Sequence, residues 1–316
     1  MTARTDGPPG RLPDFFIAGQ HKSGTTALYE MLRRHPQVYM PELKETKFFA
    51  SDLPSRMEGD TPAGLPTTIE EYVALFAPAR ADQSVGEASP QYLRSERAAG
   101  AIASYRPDAL IVGILREPAS FVRSLHMQMV QSGVESELDL RKALENEAVT
   151  RAGGERLRYS DHVRYVEQLR RYERFFPREQ LLVLIYDDYR ADNAGTVREV
   201  LDFIGVDADV PLEAVETNRS VRTRNARMSR VVDSVAAGRG SVGGAVNRAI
   251  KAVAPRSLRR RALRTTHERL LYATPEAPDE ELMLELRRRY EPEVHALGEY
   301  LDRDLVTLWG YDRLDG

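Results

Sequence analysis

Short apolar runs alternate with amphipathic segments along most of the chain. Three runs are apolar at nearly every position, and a fourth, shorter run ends in a turn at Pro90, so all four predict strands. Each strand is followed by a segment whose apolar residues recur at helical spacing. The predicted strands lie at 14–18, 84–90, 109–116 and 180–189, and the helices that follow them at 24–34, 95–107, 118–133 and 193–205. This alternation predicts an α/β fold, with a parallel sheet and helices on both of its faces.

Start and stop signals predict further helices. A helix over 68–78 begins at Thr68, a residue type that favours helix N-termini, and stops at a proline. A longer helix over 160–176 ends before Pro177. The last 37 residues hold one or two more helices within 280–311.

The positive charge of the chain is concentrated in one segment. The whole chain carries a net charge of −3, but residues 219–264 hold thirteen arginines and lysines against a single acid, Asp233. We interpret this segment, the basic arm, as a helical insertion near the C-terminal third of one domain that spans 13–316. Such a field attracts anions, so the arm is a lid, a docking surface for an anionic or membrane partner, or a solvated hairpin. Nucleic acid is not expected, because no aromatic residues are interleaved with the arginines.

Composition excludes several kinds of site. The chain has no cysteine, which rules out disulfides, cysteine-rich zinc sites and thiol nucleophiles, and its six histidines show no metal-ligand spacing. The leader, residues 1–12, is rich in glycine and proline, so we expect it to be disordered and not to act as a signal peptide. With no apolar run long enough to span a membrane, a cytoplasmic location is expected, or a membrane-peripheral one through the basic arm.

The turn between the first strand and its helix is the clearest chemical signal. It reads GQHKSGTT, from Gly19 to Thr26, and its amides and hydroxyls converge at the start of a helix. Such an arrangement favours phosphate or sulfate, and Lys22 adds a positive charge. The glycine and lysine order differs from the Walker loop, so the fold is predicted to be P-loop-like without being a standard nucleotide-binding loop. The residues expected to hold the anion are Lys22, Ser23, Gly24, Thr25 and Thr26. His21 is a candidate for lining the same pocket or for a structural role.

Four stretches in order resemble a known enzyme family. GQHKSGTTAL, LKETKFF (43–49), ILREPASFVRSLHM (114–127) and the ending LGEYLDRDLVTLW are similar to the motifs of sulfotransferases that use 3′-phosphoadenosine-5′-phosphosulfate (PAPS). This family includes bacterial O-sulfotransferases and the heparan sulfate branch. The resemblance implies transfer of a sulfuryl group to an acceptor hydroxyl by in-line displacement, with PAPS as co-substrate and no metal. The acceptor would be a small molecule, a glycolipid or a saccharide.

The resemblance also assigns roles to residues. It implies that Lys22 stabilises the leaving phosphate, that Arg116 and Ser124 hold the 3′-phosphate, and that Arg222 or Arg224 contacts the nucleotide. It implies that Glu45 is the general base that removes the acceptor proton. We expect the rings of Phe48 and Phe49 to shelter this carboxylate and raise its pKa, whereas the flanking Lys44 and Lys47 favour the charged form.

The chain departs from the family pattern at two positions. Phe121 stands where a second arginine is usual, and Ala88 where the heparan-modifying enzymes often carry a lysine. Acceptor-side contacts are therefore expected from Lys44, Lys47 and Ser89.

Two alternatives stay open. One is a P-loop kinase or NTPase, which would need Mg²⁺ ligands, and the other is a non-catalytic adaptor that binds nucleotide or membrane through the basic arm.

Overall fold

A five-stranded parallel sheet forms the centre of the molecule. The computed structural model describes residues 10–53, 65–132, 134–146, 158–211, 222–223, 272–273 and 279–314. The strands are β1 (Phe15–Ile17), β2 (Val38–Tyr39), β3 (Ser84–Ala88), β4 (Leu110–Leu115) and β5 (Leu181–Ile185). Their spatial order is β2-β3-β1-β4-β5, so β1 is central and lies between β3 and β4. The predicted fold class is confirmed.

Helices cover both faces of this sheet. They are α1 (Thr25–Leu32), α2 (Ile69–Ala74), α3 (Ala98–Tyr105), α4 (Pro118–Gln131), α5 (Leu140–Glu145), α6 (Tyr159–His162), α7 (Tyr165–Glu173), α8 (Tyr186–Ala191), α9 (Asn193–Phe203), α10 (Glu280–Leu301) and α11 (Leu305–Trp309). Thr68 caps α2 in a complete capping box with Glu71, as the start signal predicts. Gly205, with φ +72°, follows the end of α9.

Alternating strand residues divide the core into two halves. Phe16 points into one half, which packs against α2, α3, α4, α7, α10 and α11. Phe15 and Ile17 point into the other half, which packs against α1 and α9. Successive side chains of a strand face opposite sides, so a strand that is apolar throughout contributes side chains to both halves of the core.

The strand predicted over 180–189 and the helix predicted over 160–176 differ from the observed elements. The strand predicted over 180–189 ends at Ile185, and α8 follows directly with two aspartates in its first turn, where negative charge favours a helix. The helix predicted over 160–176 is broken at Val163. Two side chains stabilise the break, one from the turn after β1 and one from α7, because Gln20 Nε2 donates to His162 O (2.8 Å) and Gln168 Nε2 donates to Asp161 O (2.9 Å). Side chains thus satisfy the carbonyls that end α6.

The folded part begins within the predicted leader. Leu12 is buried in the core, and the Arg11 guanidinium pairs with Asp14 at 2.9 Å and donates to Arg80 O at 2.7 Å. The expected boundary at residue 12 is therefore slightly late, and residues 1–9 lie outside the described residues. Most of the basic arm lies outside them too. Its described piece, β6 (Arg222–Thr223), pairs antiparallel with β7 (Tyr272–Ala273) and lies next to α4.

Within the described part of the chain, no helix is both long enough and apolar enough to cross a membrane.

The C-terminal segment is tied to residues that follow β4 and β5, which are neighbouring strands of the sheet. Glu117, two residues after the end of β4, caps α4 by accepting hydrogen bonds from the amides of Ala119 and Ser120 (2.9 and 2.7 Å). The Tyr311 hydroxyl donates to the same buried carboxylate at 2.6 Å, and Trp309 Nε1 donates to Asp187 at 2.9 Å. These contacts fix the corner at which β4 passes into α4.

Replacing Tyr311 by phenylalanine tests this tie. We expect Tyr311→Phe to lower the free energy of unfolding by about 1.5–3 kcal/mol, because a buried carboxylate loses a donor. Tyr300→Phe is the matched control, since Tyr300 also donates to a glutamate, Glu173, at 2.6 Å, but at the surface. It should change the free energy by about 0.5 kcal/mol or less in urea denaturation. Equal effects of the two variants would contradict the structural role of Glu117.

Candidate functional site

A polar cavity of about 350 Å³ opens at the carboxyl ends of β1 and β4. Ligands of open parallel sheets bind at this edge. The residues that line it come from the turn after β1, the segment after β2, the end of β4, α4 and α8. They are His21, Lys22, Gly24, Thr25, Thr26, Glu45, Arg116, Gln128, Gln131 and Tyr186. The cavity thus brings together residues that are up to 165 positions apart in the sequence.

The turn between β1 and α1 presents free amides to the cavity. Gly24 precedes α1 with φ +85° and has no side chain to cap the first amides of the helix. A Cβ atom at Gly24 would lie 2.9 Å from the ring of Tyr189, so only glycine fits between the turn and α8. Lys22 is also left-handed, with φ +61°, a strained conformation for a residue with a side chain. The turn is shaped to hold an anion at the start of α1.

Arg116 connects this turn to α4. Its Nη1 atom donates to Lys22 O at 2.9 Å and to Ser124 Oγ at 3.0 Å. Its guanidinium also stacks over the ring of Tyr186, 4.9 Å from the centroid. Burial lowers the pKa of Arg116, and burial together with the charge of Arg116 lowers the pKa of Lys22. Two partly desolvated cations on one wall are a strong site for a ligand with more than one anionic group.

Glu45 lines the same cavity as these cations. Its carboxylate accepts hydrogen bonds from Lys44 Nζ and Gln91 Nε2, both at 3.3 Å. Lys44 Nζ also donates to Thr26 Oγ1 at 2.9 Å. Lys44 therefore joins the segment that carries Glu45 to the turn that presents the free amides.

The charge state of Glu45 differs from the sequence-based expectation. Burial raises its pKa, but the charge of Lys44, the hydrogen bonds from Gln91 and Lys44 and, when its imidazole is protonated, the charge of His21 together outweigh burial and bring the pKa below its ordinary value. Glu45 is therefore ionised at neutral pH. The expected shelter from Phe48 and Phe49 is wrong, because both rings pack into the core. Phe48 stacks on Tyr72 at 4.5 Å, and Phe49 contacts Phe16 and Tyr72 edge-on.

His21 is a neutral neighbour of Glu45. Burial lowers the pKa of His21 to about 4, against the opposing attraction of Glu45, and the nearby cations Lys47, Arg94 and Lys44 lower it further. At neutral pH the imidazole therefore carries no charge and can donate or accept one hydrogen bond at the cavity wall.

Several expected site residues lie away from the cavity. Ser23 is fully buried and its hydroxyl donates to His21 O at 3.4 Å. Ser89 is also fully buried, which corrects its expected contact with the acceptor. Phe121, where the second arginine is missing, packs in the core against His162. Arg222 lies in β6, of which only the backbone is described, and Arg224 lies outside the described residues.

The structure adds residues that sequence reasoning missed. Tyr186 is the first residue after β5, at the sheet edge where ligands bind. Gln128 lies one helical turn beyond Ser124 and Gln131 nearly two, so helical spacing from Ser124 could have identified both. Gln91 had no comparable signal, because its contact with Glu45 depends on tertiary structure.

No group of three or more histidine, aspartate or glutamate side chains among the described residues is arranged to hold a metal ion.

Comparisons with known proteins agree on one family. The model of a sulfotransferase family matches residues 13–210. The crystal structure of a sulfotransferase from Alicyclobacillus acidocaldarius is 31% identical, covers 72% of this chain and 92% of its own, and superimposes with a TM-score of 0.59. The human bifunctional heparan sulfate N-deacetylase/N-sulfotransferase 3 is 26% identical over 219 residues, which are 62% of this chain and 22% of that protein. The membrane-associated sulfotransferase kil1 of Dictyostelium discoideum is 30% identical over 107 residues, 34% of this chain and 21% of that protein. The chain thus spans about a fifth of the length of these two curated relatives.

Adding one methyl group at Gly24 tests the shape of the anion-binding turn. We expect Gly24→Ala to lower the free energy of unfolding by about 2–4 kcal/mol, because positive φ and the clash with Tyr189 act together. Gly205→Ala is the matched control, since Gly205 has φ +72° with no atom within 4 Å of the added carbon. Gly205→Ala should lower the free energy of unfolding by only about 1–2 kcal/mol, because only the left-handed backbone conformation opposes it. Equal costs in urea denaturation would show that Tyr189 does not constrain the turn.

Proposed function

Because the chain belongs to the sulfotransferase family, we propose that it moves a sulfuryl group from PAPS to an acceptor hydroxyl, with Glu45 as general base. The observation that carries this proposal is the position of Arg116, which is hydrogen-bonded to both the anion-binding turn and Ser124. A donor with a phosphosulfate at one end and a second phosphate at the other needs two cationic sites held at a constant separation. This pair of contacts supplies that separation.

The groups that line the cavity support the proposal of such a donor. The free amides at the start of α1, with Thr25 and Thr26, suit the 5′-phosphate. Arg116 and Ser124 suit the 3′-phosphate, because a guanidinium can offer further donors while it keeps its contact with the serine. Tyr186 holds the guanidinium plane from the other side.

The proposed chemistry is a displacement at sulfur. The acceptor oxygen forms a bond to sulfur while the bond between sulfur and the bridging phosphate oxygen breaks. Glu45 removes the proton from the acceptor hydroxyl, and Lys22 neutralises the charge that develops on the bridging oxygen. Because little covalent chemistry falls to the protein, orientation and charge stabilisation supply most of the rate enhancement. The ionised state of Glu45 at neutral pH suits it to accept a proton.

The acceptor side is formed around Glu45. Lys44 and Lys47 flank it, Gln91 donates to it, and Gln128 and Gln131 line the cavity with amide groups that can bind hydroxyls. We propose a polar acceptor, either a small molecule, a glycolipid or a saccharide. The heparan sulfate relatives support this choice only in chemical class, since most of their length has no counterpart in this chain.

Nucleotide binding distinguishes this proposal from its alternatives. We expect 3′-phosphoadenosine-5′-phosphate to bind in isothermal titration and ATP with Mg²⁺ to bind far more weakly. Arg116→Lys should weaken the bisphosphate by about 10–100-fold, because lysine cannot replace a planar, multidentate donor. Arg97→Lys, a substitution at an exposed position just before α3, should leave the affinity unchanged. Tight binding of ATP with Mg²⁺ and none of the bisphosphate would favour a kinase or NTPase.

Turnover distinguishes an enzyme from an adaptor. Glu45→Gln should lower kcat by about 10²–10⁴-fold with bisphosphate affinity within about twofold, because the general base is lost while the donor site is intact. Glu42→Gln, on the same segment but with a solvent-exposed carboxylate, is the matched control. The assay follows label from sulfur-labelled PAPS into a panel of phenolic, glycolipid and saccharide hydroxyls. Bisphosphate binding with Glu45→Gln as active as the parent would exclude Glu45 as the base.

A further inference from the structure

The segment that carries Glu45 is held in a strained conformation. Glu45 has φ +61° and Lys47 has φ +57°, and both are left-handed although neither is glycine. Such conformations persist only where surrounding contacts impose them. The contacts that impose them therefore determine where the Glu45 carboxylate lies.

Those contacts come from the end of β3 and the turn after it. Glu45 N donates to Ala88 O at 3.0 Å, and Lys47 N donates to Ser89 Oγ at 3.1 Å. The Thr46 and Tyr92 hydroxyls lie 3.3 Å apart. Three consecutive residues of the segment are thus tied to residues 88–92.

Glu87 controls the hydrogen bond between Lys47 N and Ser89 Oγ. A serine hydroxyl has a single hydrogen, and that of Ser89 is donated to Glu87 Oε1 at 2.6 Å. This leaves a lone pair of the same oxygen to accept the Lys47 amide. Without an acceptor at Glu87, the hydroxyl would be free to rotate away from the strained segment.

Glu87 has an environment unlike that of Glu45. It is fully buried, and its neighbours are Ser89, Thr46 and three tyrosines, Tyr72 from α2, Tyr92 after β3 and Tyr172 from α7. Its Oε2 atom has no hydrogen bond of good geometry within the described residues. Burial raises the pKa of Glu87 to about 7, the hydrogen bond from Ser89 and the nearby hydroxyls of Tyr92 and Thr46 lower it, and the negative charge of Glu45 raises it.

We propose that Glu87 is a positioning residue for the general base, which in its neutral form orients Ser89 and so holds the segment 44–49 in its strained conformation. Ionisation places a second negative charge beside Glu45 in a buried, incompletely hydrogen-bonded position, and the segment then opens to solvate it. The catalytic consequence rests on the proposed role of Glu45, whereas the structural effect does not.

The raised pKa of Glu87 determines how stability changes with pH. The folded protein binds the Glu87 proton more tightly than the unfolded chain, whose carboxyl has its ordinary pKa of 4.5. The contribution of Glu87 to the free energy of unfolding is therefore greatest at low pH and declines as pH rises from 4.5 to about 7. Above that range the segment should be measurably looser.

Hydrogen exchange of the peptide that covers residues 44–50 tests the proposal, with rates corrected for intrinsic exchange. Between about pH 6 and about pH 8.5, we expect protection to fall by about tenfold or more in the parent protein. Glu87→Gln keeps the acceptor but cannot ionise, so it should retain protection at both pH values. Ser89→Ala should lack this protection at both pH values. Glu293→Gln is the matched control, since burial also raises the pKa of Glu293, which accepts from Val166 N at the start of α7.

The peptide that covers α1 reports whether each variant is folded. The proposal is overturned if the parent and Glu87→Gln lose protection together, or if Ser89→Ala keeps its protection while α1 is unchanged. Titration of the same samples with 3′-phosphoadenosine-5′-phosphate keeps the two questions apart. Absence of binding with the expected exchange pattern would refute the proposed function and leave the role of Glu87 intact.

Discussion

The hydrogen bonds from Arg116 to Lys22 O and Ser124 Oγ hold the two sides of the site together. One bond reaches the turn after β1, and the other reaches the helix after β4. The two strands are neighbours in the sheet, so the guanidinium lies where their carboxyl ends meet. The turn between β4 and α4 is stabilised as well, because Glu117 caps α4 and accepts a hydrogen bond from the Tyr311 hydroxyl. The C-terminal segment, remote in sequence, therefore contributes to the geometry of the site.

Two glutamates at the same edge of the sheet have opposite properties. Glu45 faces cations and an amide donor, which keep it ionised although burial opposes this. Glu87 is fully buried, and burial together with the charge of Glu45 raises its pKa although neighbouring hydroxyl groups oppose the rise. Environments that separate the pKa values of neighbouring carboxyls are typical of sites in which one acts as a base and the other stays protonated. The strained backbone at Glu45 and Lys47 connects the two, because its hydrogen bonds run through Ser89.

The missing second arginine has a structural counterpart. Phe121 is fully buried and packs against His162. The helix of His162 ends there, and Gln20 donates a hydrogen bond to the His162 carbonyl. A cation at this position would be placed in the core, away from the cavity. Positive charge instead comes from Lys22, Arg116 and Lys44, and β6 brings the backbone of the basic arm next to α4.

The sequence alone determined the elements and the anion-binding turn, because both depend on local chemistry. Apolar runs and helical spacing predicted four of the five strands of the central sheet and most helices, and GQHKSGTT predicted an anion at a helix start. Tertiary structure decided what depends on distant neighbours. It broke the helix at Val163 through side chains of Gln20 and Gln168, and it turned Ser23 and Ser89 into the interior. It also reversed the expected pKa shift of Glu45, since Phe48 and Phe49 pack against the core while Lys44 and Gln91 contact the carboxylate. The pKa of a carboxyl depends on the groups within a few ångströms, and only the folded chain brings those groups together.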